Sequence, residues 1–198
     1  MSLRLLLSAL ILASGLALPV EAGEEVPRAT PIQQSQPGRQ KVLDELFERL
    51  AKAQDAAEAR GIERAIQRVW MRSGSDTADL LMGRAMQAMT RKNYTLTLQV
   101  LDSIIEIEPQ WAEARHRRAI ARFYAQDEAG AAEDLAHALA LEPKHFGALT
   151  GMGSIMHRAG FDKGALALLR RALELHPQQE SVRSLVEKLR LEVEGREI

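Results

Sequence analysis

The chain contains no cysteine. No disulfide, thiol nucleophile or thiolate metal site is available to it, and neither is a lipid anchor attached through cysteine. Aromatic residues make up only 4% of the 198 positions. No charge of one sign dominates, since 26 basic residues stand against 27 acidic ones. A global field that would draw nucleic acid or acidic lipid is therefore excluded. The longest apolar run, Leu5 to Leu18, has 14 residues and is too short for a comfortable membrane span.

That run has a different meaning. Arg4 precedes it and Val20-Glu21-Ala22 follows it, which is the layout of a cleaved secretory signal with cleavage before Gly23. We expect export to a bacterial periplasm, with release to the outside as the alternative, and no membrane span in the mature chain. Residues 23–40 carry Pro27, Pro31, Pro37 and Gly38 among glutamines and have no periodic apolar face. They read as a disordered leader.

The rest is rich in alanine, leucine, glutamate and arginine, a composition that favours helices. Pro109, Pro143 and Pro177 lie 34 residues apart in the similar contexts "IEIEPQ", "LALEPK" and "LELHPQ". Each follows an apolar-periodic run, where a helix must stop. A 34-residue period with a helix-ending proline resembles the tetratricopeptide repeat. The repeats are then 78–111, 112–145 and 146–179. The family's small eighth position is Ala85, Ala119 and Gly153, and its small twentieth is Thr97, Ala131 and Ala165. The bulky twenty-fourth is Leu101, Leu135 and Leu169; the twenty-seventh is Ile104, Ala138 and Ala172. Repeat two departs from the pattern, with Arg115 and Arg122 at positions that normally pack. Their stems are expected to cover the core while their heads reach water.

The resemblance implies an all-α, right-handed solenoid of helical hairpins. Residues 41–72 read as a degenerate N-terminal hairpin with apolar faces at Leu43, Leu46, Phe47, Leu50 and at Ile62, Ile66, Val69, Trp70. Asp55 and Glu58 resemble a capping box for its second helix. Val182, Leu185, Val186, Leu189 and Val193 give residues 180–194 one apolar stripe, as a terminal capping helix needs.

Chemistry is sparse. His116, His137, His145, His157 and His176 have no i, i+3 or i, i+4 spacing between them, so two of them share no helix face as metal ligands. His145 shares its repeat position with Trp111 and Gln179 and reads as an exposed joint. Gly147, Gly151 and Gly153 are not preceded by a strand or followed by Gly-Lys-Ser, so no phosphate loop is present. No serine stands in a nucleophile elbow. We expect no enzyme activity, no cofactor and no metal.

The resemblance also implies that the first helix of each repeat lines a concave groove. Mapped by register, repeat one offers Asp79, Met82, Met86 and Met89; repeat two offers Glu113, His116, Ile120 and Phe123. Repeat three offers Gly147, Thr150, Ser154 and His157, with Arg117 and Arg158 at the margin. One family subtype holds a C-terminal carboxylate with Lys at the fifth and Asn at the ninth position of its first repeat. Here those positions are Met82 and Met86, so that activity does not transfer. The expected function is that of an adaptor for a polypeptide partner, with a role in envelope assembly. A part in cytochrome c maturation is an alternative by fold analogy, and a metal-dependent hydrolase is a remote one.

Overall fold

The structure is a computed structural model that describes residues 37–195. Among the described residues there are nine helices and no strand. They are α1 (Pro37–Ala51), α2 (Ala56–Trp70), α3 (Asp76–Thr90), α4 (Tyr94–Ile107) and α5 (Ala112–Tyr124). Then come α6 (Glu128–Leu141), α7 (Phe146–Arg158), α8 (Asp162–Leu175) and α9 (Glu180–Val193). The expected signal, residues 1–22, lies outside the described residues, as does the expected leader up to residue 36. Helix α1 begins at Pro37, inside the stretch expected to be leader. Proline is tolerated there because the first turn has no intrahelical acceptor for its missing N–H.

Three hairpins, α3/α4, α5/α6 and α7/α8, stack one on the next, and α9 packs on α8. The short residues at the crossings explain the close approach. Ala85, Ala119, Thr97, Ala131 and Ala165 are buried. A Cβ on Gly153 would come within 2.8 Å of Leu169 Cγ. Leu101, Leu135 and Leu169 fill the space between the helices.

The turns inside the hairpins repeat as well. Lys92, Gln126 and Gly160 stand 34 residues apart and all take the left-handed conformation, with φ of 58°, 68° and 81°. Only the third carries the residue suited to it. The next residue but one or so starts a helix: Asn93 caps α4 through Leu96 N, and Asp127 caps α6 through Gly130 N. Phe161 holds the same place in repeat three without a side-chain cap.

The arginines of repeat two do not reach water as expected. Arg118 makes paired bonds of 2.8 and 2.7 Å to the fully buried Asp134 on α6, and a third of 2.7 Å to Asp102 on α4. Arg122 lies 3.1 Å and Arg115 3.7 Å from the same Asp134 carboxylate. The positions equivalent to Arg115, Arg122 and Asp134 are Leu81, Ala88 and Val100 in repeat one, and Leu149, Met156 and Leu168 in repeat three. An ionic cluster thus stands at the centre of the stack where repeat three is apolar throughout, with Met152 for Arg118, and where repeat one keeps only Arg84 at the Arg118 position. Facing Asp134 first and Asp102 second, the Arg118 guanidinium is held above its ordinary range.

The N-terminal hairpin departs furthest from a simple continuation of the stack. Its core of Leu43, Phe47, Leu50, Ala59, Ile62, Ile66 and Trp70 also takes in Phe146, with Leu175 packed against it. Its polar contacts fall on the connections between repeats. Trp111 Nε1 donates to Trp70 O at 2.7 Å, Lys144 Nζ meets Asp44 at 2.7 Å, and Gln178 Nε2 donates to Ala53 O at 3.2 Å. The hairpin therefore runs along the row of α4–α5, α6–α7 and α8–α9 connections. Asp55 caps α2 by accepting from Ala57 and Glu58 N–H. Glu58 reaches back one residue further than a capping box requires, to Gln54 N.

Candidate functional site

Because α2 lies across those connections, it walls one end of the face made by α5 and α7. A cavity of about 400 Å³ results. Its walls are Arg60, Glu63, Gln67 and Trp70 from α2, Glu113, His116 and Arg117 from α5, and Phe146, Gly147 and Thr150 from α7, closed by His176, Gln178 and Gln179.

At its base lies a buried network. His145 is 1% exposed, so the expectation of an exposed joint is corrected. Its ring stacks on Trp70 with centroids 4.0 Å apart and planes 10° from parallel. Its Nδ1 accepts the Ala148 N–H at 3.2 Å and so caps α7. Nε2 must then carry the proton, which it donates to Glu113 Oε2 at 2.9 Å. Arg117 Nε donates to the other carboxylate oxygen at 2.5 Å. His116 Nδ1 stands 3.6 Å from Glu113 Oε2. Burial alone would raise the Glu113 carboxyl, but the His116 and His145 imidazoles and the Arg117 guanidinium outweigh it and hold the group well below the usual carboxylate range. Burial holds the His116 imidazole below its ordinary value, so it is neutral.

Glu113, His116 and His145 bring possible ligand atoms within 4.8 Å of one another, a convergence that the spacing of the histidines concealed. The donor set does not suit a metal. A cation at His145 Nε2 would drive the proton to Nδ1, against the Ala148 N–H that already points there. The Arg117 guanidinium also supplies the positive charge that the carboxylate needs.

The residues mapped to the groove by register divide into three groups. Met82 is 1% exposed, buried with Ala78, Ala85, Leu101 and Trp111, and is unavailable to a partner. Met86 and Met89 are half-buried against the same cluster. The reason is that the α4–α5 connection and α5 cover this end of the stack. Asp79 holds the α2–α3 connection by accepting from Ser73 N and Oγ at 2.8 and 2.7 Å. Glu113 is committed to the buried network. In contrast His116, Arg117 and Thr150 line the cavity. Ile120, Phe123, Ser154 and His157 are half-buried. Arg158 lies over the Phe123 ring at 5.3 Å from its centroid, linking α7 to α5. His157 Nδ1 pairs with Asp162 at 2.7 Å. Sequence reasoning missed the whole contribution of α2, together with His145, His176, Gln178 and Gln179. The variety of Trp111, His145 and Gln179 at one repeat position was the available signal, since each meets a different part of the N-terminal hairpin or its cavity.

Stacked helical hairpins with a 34-residue period, small residues at each crossing and a terminal capping helix define a helical repeat scaffold. The tetratricopeptide repeat profile matches residues 122–189. A TPR repeat-containing protein of Rhizobium etli is 38% identical over 151 residues, covering 74% of each chain. The chain belongs to the tetratricopeptide repeat family. Among solved structures, the Sgt2 TPR domain from Aspergillus fumigatus is similar at TM-score 0.56 and 22% identity, covering 62% of this chain and 83% of that one. The first TPR of Spaghetti (RPAP3), bound to an HSP90 peptide, matches at TM-score 0.56 and 20% identity, over 59% of this chain and 92% of that one. The Yersinia enterocolitica secretion chaperone SycD, in complex with a peptide of the translocator YopD, matches at 0.55 and 16% identity, over 60% and 95%. These three show the shared fold. No helix among the described residues is long and apolar enough to cross a membrane.

Proposed function

We propose that the protein is a non-enzymatic adaptor that binds a polypeptide partner on the α5/α7 face, and that it works in the periplasm after removal of residues 1–22. The observation that carries this reading is the character of that face. Its apolar and polar side chains, Ile120, Phe123, Thr150 and Ser154, are half-buried, whereas Leu101 and Leu135 of the helical core are sealed. A row of partly covered side chains along a concave repeat surface suits a partner that completes the burial. Similar folds solved with peptides support the same reading. The location rests on the Arg4, Leu5 to Leu18 and Ala22 pattern, and envelope assembly is the setting that such a location suggests.

The test uses the mature chain, residues 23–198, against an array of 12-residue peptides drawn from exported proteins. Wild type should bind a subset, and Ile120→Asp and Phe123→Asp should each weaken that binding at least tenfold with unchanged circular dichroism. Failure to bind any peptide, or equal binding by the variants, overturns the reading. Intact mass of the exported protein should give Gly23 as the first residue; an uncleaved chain in the membrane fraction contradicts the location.

A further inference from the structure

In repeats two and three, one flank of each hairpin is covered by the hairpin before it. Ala114 and Ala121 of α5, at the third and tenth positions of repeat two, share a core cluster with Ala78, Met82 and Leu101 of α3 and α4. Ala148 and Ile155 of α7 are buried in the same way against Ala119 and Leu135 of the α5/α6 hairpin. The matching residues of α3 are Leu80 and Gln87, and both are exposed, Leu80 at 62%. Neither α1 nor α2 packs along α3 or α4, because the N-terminal hairpin follows the connections instead. The flank of the α3/α4 hairpin that faces away from α5 is therefore open.

That flank is apolar and basic. Asp134 on α6 stands among Arg115, Arg118 and Arg122 of its own repeat. Val100 is the equivalent of Asp134 on α4, which places it beside Leu81, Arg84 and Ala88. Helical spacing puts Leu96, Val100 and Ile107 on one side of α4, and Leu96 is 44% and Ile107 46% exposed. The far end of the stack is different. There α9 shows water Arg183, Glu187, Lys188 and Arg190, with Leu191 its one exposed large apolar side chain. A stack of repeats needs a polar cap at each end, and here only one end has it. Leu80, Arg84 and Arg91 recur along one face of α3, and neither arginine makes an ion pair among the described residues. In repeat two the seventh position, Arg118, reaches back 2.7 Å to Asp102 on the preceding α4. Arg84 is the seventh residue of repeat one and lacks such a partner.

We propose that the open flank of the α3/α4 hairpin docks an acidic amphipathic helix of a partner protein. The occupant is helical because helices cover the same flank in repeats two and three. It is a single helix and not a further repeat, because Leu80 stands where alanine lets the preceding hairpin come close. Its apolar stripe meets Leu80, Leu81, Leu96 and Val100, and its carboxylates meet Arg84 and Arg91, as Asp102 meets Arg118. A second copy of this chain fits poorly, since it would bring the same two arginines to the same flank. The surface is separate from the α5/α7 face and does not depend on it.

The probe is a fluorescein-labelled helical peptide of about 14 residues, about 21 Å long and so matched to α4, with leucines on one face and glutamates beside them. Its twin carries lysine in place of every glutamate. Fluorescence anisotropy with the mature chain should show saturable binding of the glutamate peptide, one per chain, and binding about tenfold weaker or less for the lysine twin. The double variant Arg84→Glu/Arg91→Glu should reverse that order. Leu80→Asp, at an exposed position, should weaken the glutamate peptide about tenfold with an unchanged melting midpoint. Phe123→Asp, on the α5/α7 face, should change it by less than about twofold. No saturable binding of the glutamate peptide overturns the inference, and so does equal binding of the two peptides. If Phe123→Asp weakens binding as much as Leu80→Asp, the peptide sits on the α5/α7 face and the inference falls. Sedimentation of the wild type as a dimer that Leu80→Asp dissociates would mean that a second copy covers the flank, and would also overturn it.

Discussion

Asp134→Asn isolates the ionic cluster at the centre of the stack. The wild-type carboxylate is fully buried and faces Arg118 at 2.7 and 2.8 Å, Arg122 at 3.1 Å and Arg115 at 3.7 Å. The arginine side chains are only 13%, 23% and 21% exposed. The substitution keeps the shape and removes the negative charge, so three guanidinium groups are left facing one another away from bulk water. Breaking a buried ionic group by removing one partner costs about 3–5 kcal/mol. For a chain of this size that lowers the melting midpoint by roughly 6–20 °C. Replacing the group as a whole should behave differently. The variant R115L/R118M/R122M/D134L places the residues of repeat three into repeat two. Swapping a buried ionic cluster for packed apolar groups is often neutral or stabilising by about 1–4 kcal/mol. Thermal and urea melts of the two variants decide the matter. If Asp134→Asn melts like wild type, the cluster is not desolvated and the argument fails. If the fourfold variant is the less stable of the two, the apolar packing of repeat three does not transfer to repeat two.

Three further outcomes follow from the same structure. His145→Ala removes a bond to a buried carboxylate, a helix cap and a ring stack, and should cost about 2–4 kcal/mol in a urea melt; a cost within about 0.5 kcal/mol would mean an exposed joint after all. His116 and Glu113 both have folded-state values held below the unfolded ones. The unfolded chain therefore takes up each proton first, and stability should fall as pH drops below about 6.5 and again below about 4.5. Urea midpoints should show a flatter first decline in His116→Gln and a flatter second one in Glu113→Gln, whereas a rise in stability on acidification would reverse the sign. Gln126→Gly relieves a left-handed φ of 68° and should raise stability by about 0.5–1 kcal/mol in the same assay; a loss would show that the Gln126 side chain contributes more than its backbone costs.

The repeats were legible because their determinants are local and periodic. Pro109, Pro143 and Pro177 mark helix ends by their own covalent geometry, and Ala119 or Gly153 must be small wherever two helices cross. Residues 41–72 carry a readable apolar face, but a face does not name its partner. Nothing periodic connects Trp70 to His145 or Gln178 to Ala53. His145 was misread for the same reason: its equivalence to Trp111 and Gln179 holds within the stack, while its environment is set by a helix outside the repeats. The cluster on Asp134 left a better trace. An acid where the neighbouring repeats have Val100 and Leu168, accompanied by Arg115 where they have Leu81 and Leu149 and by Arg122 where they have Ala88 and Met156, is a correlated exchange of apolar for charged residues. Met82 was placed in the groove by register alone, and the covering α4–α5 connection has no counterpart in a single repeat.

The central claim is that the α5/α7 face receives a polypeptide. A photo-crosslinking residue placed at Ile120, on that face, and separately at His137, exposed on α6, tests it most directly against a peptide selected from the array. The account predicts an adduct of one peptide per chain from position 120 and none from position 137. Equal labelling at both positions, or labelling at 137 alone, would contradict it.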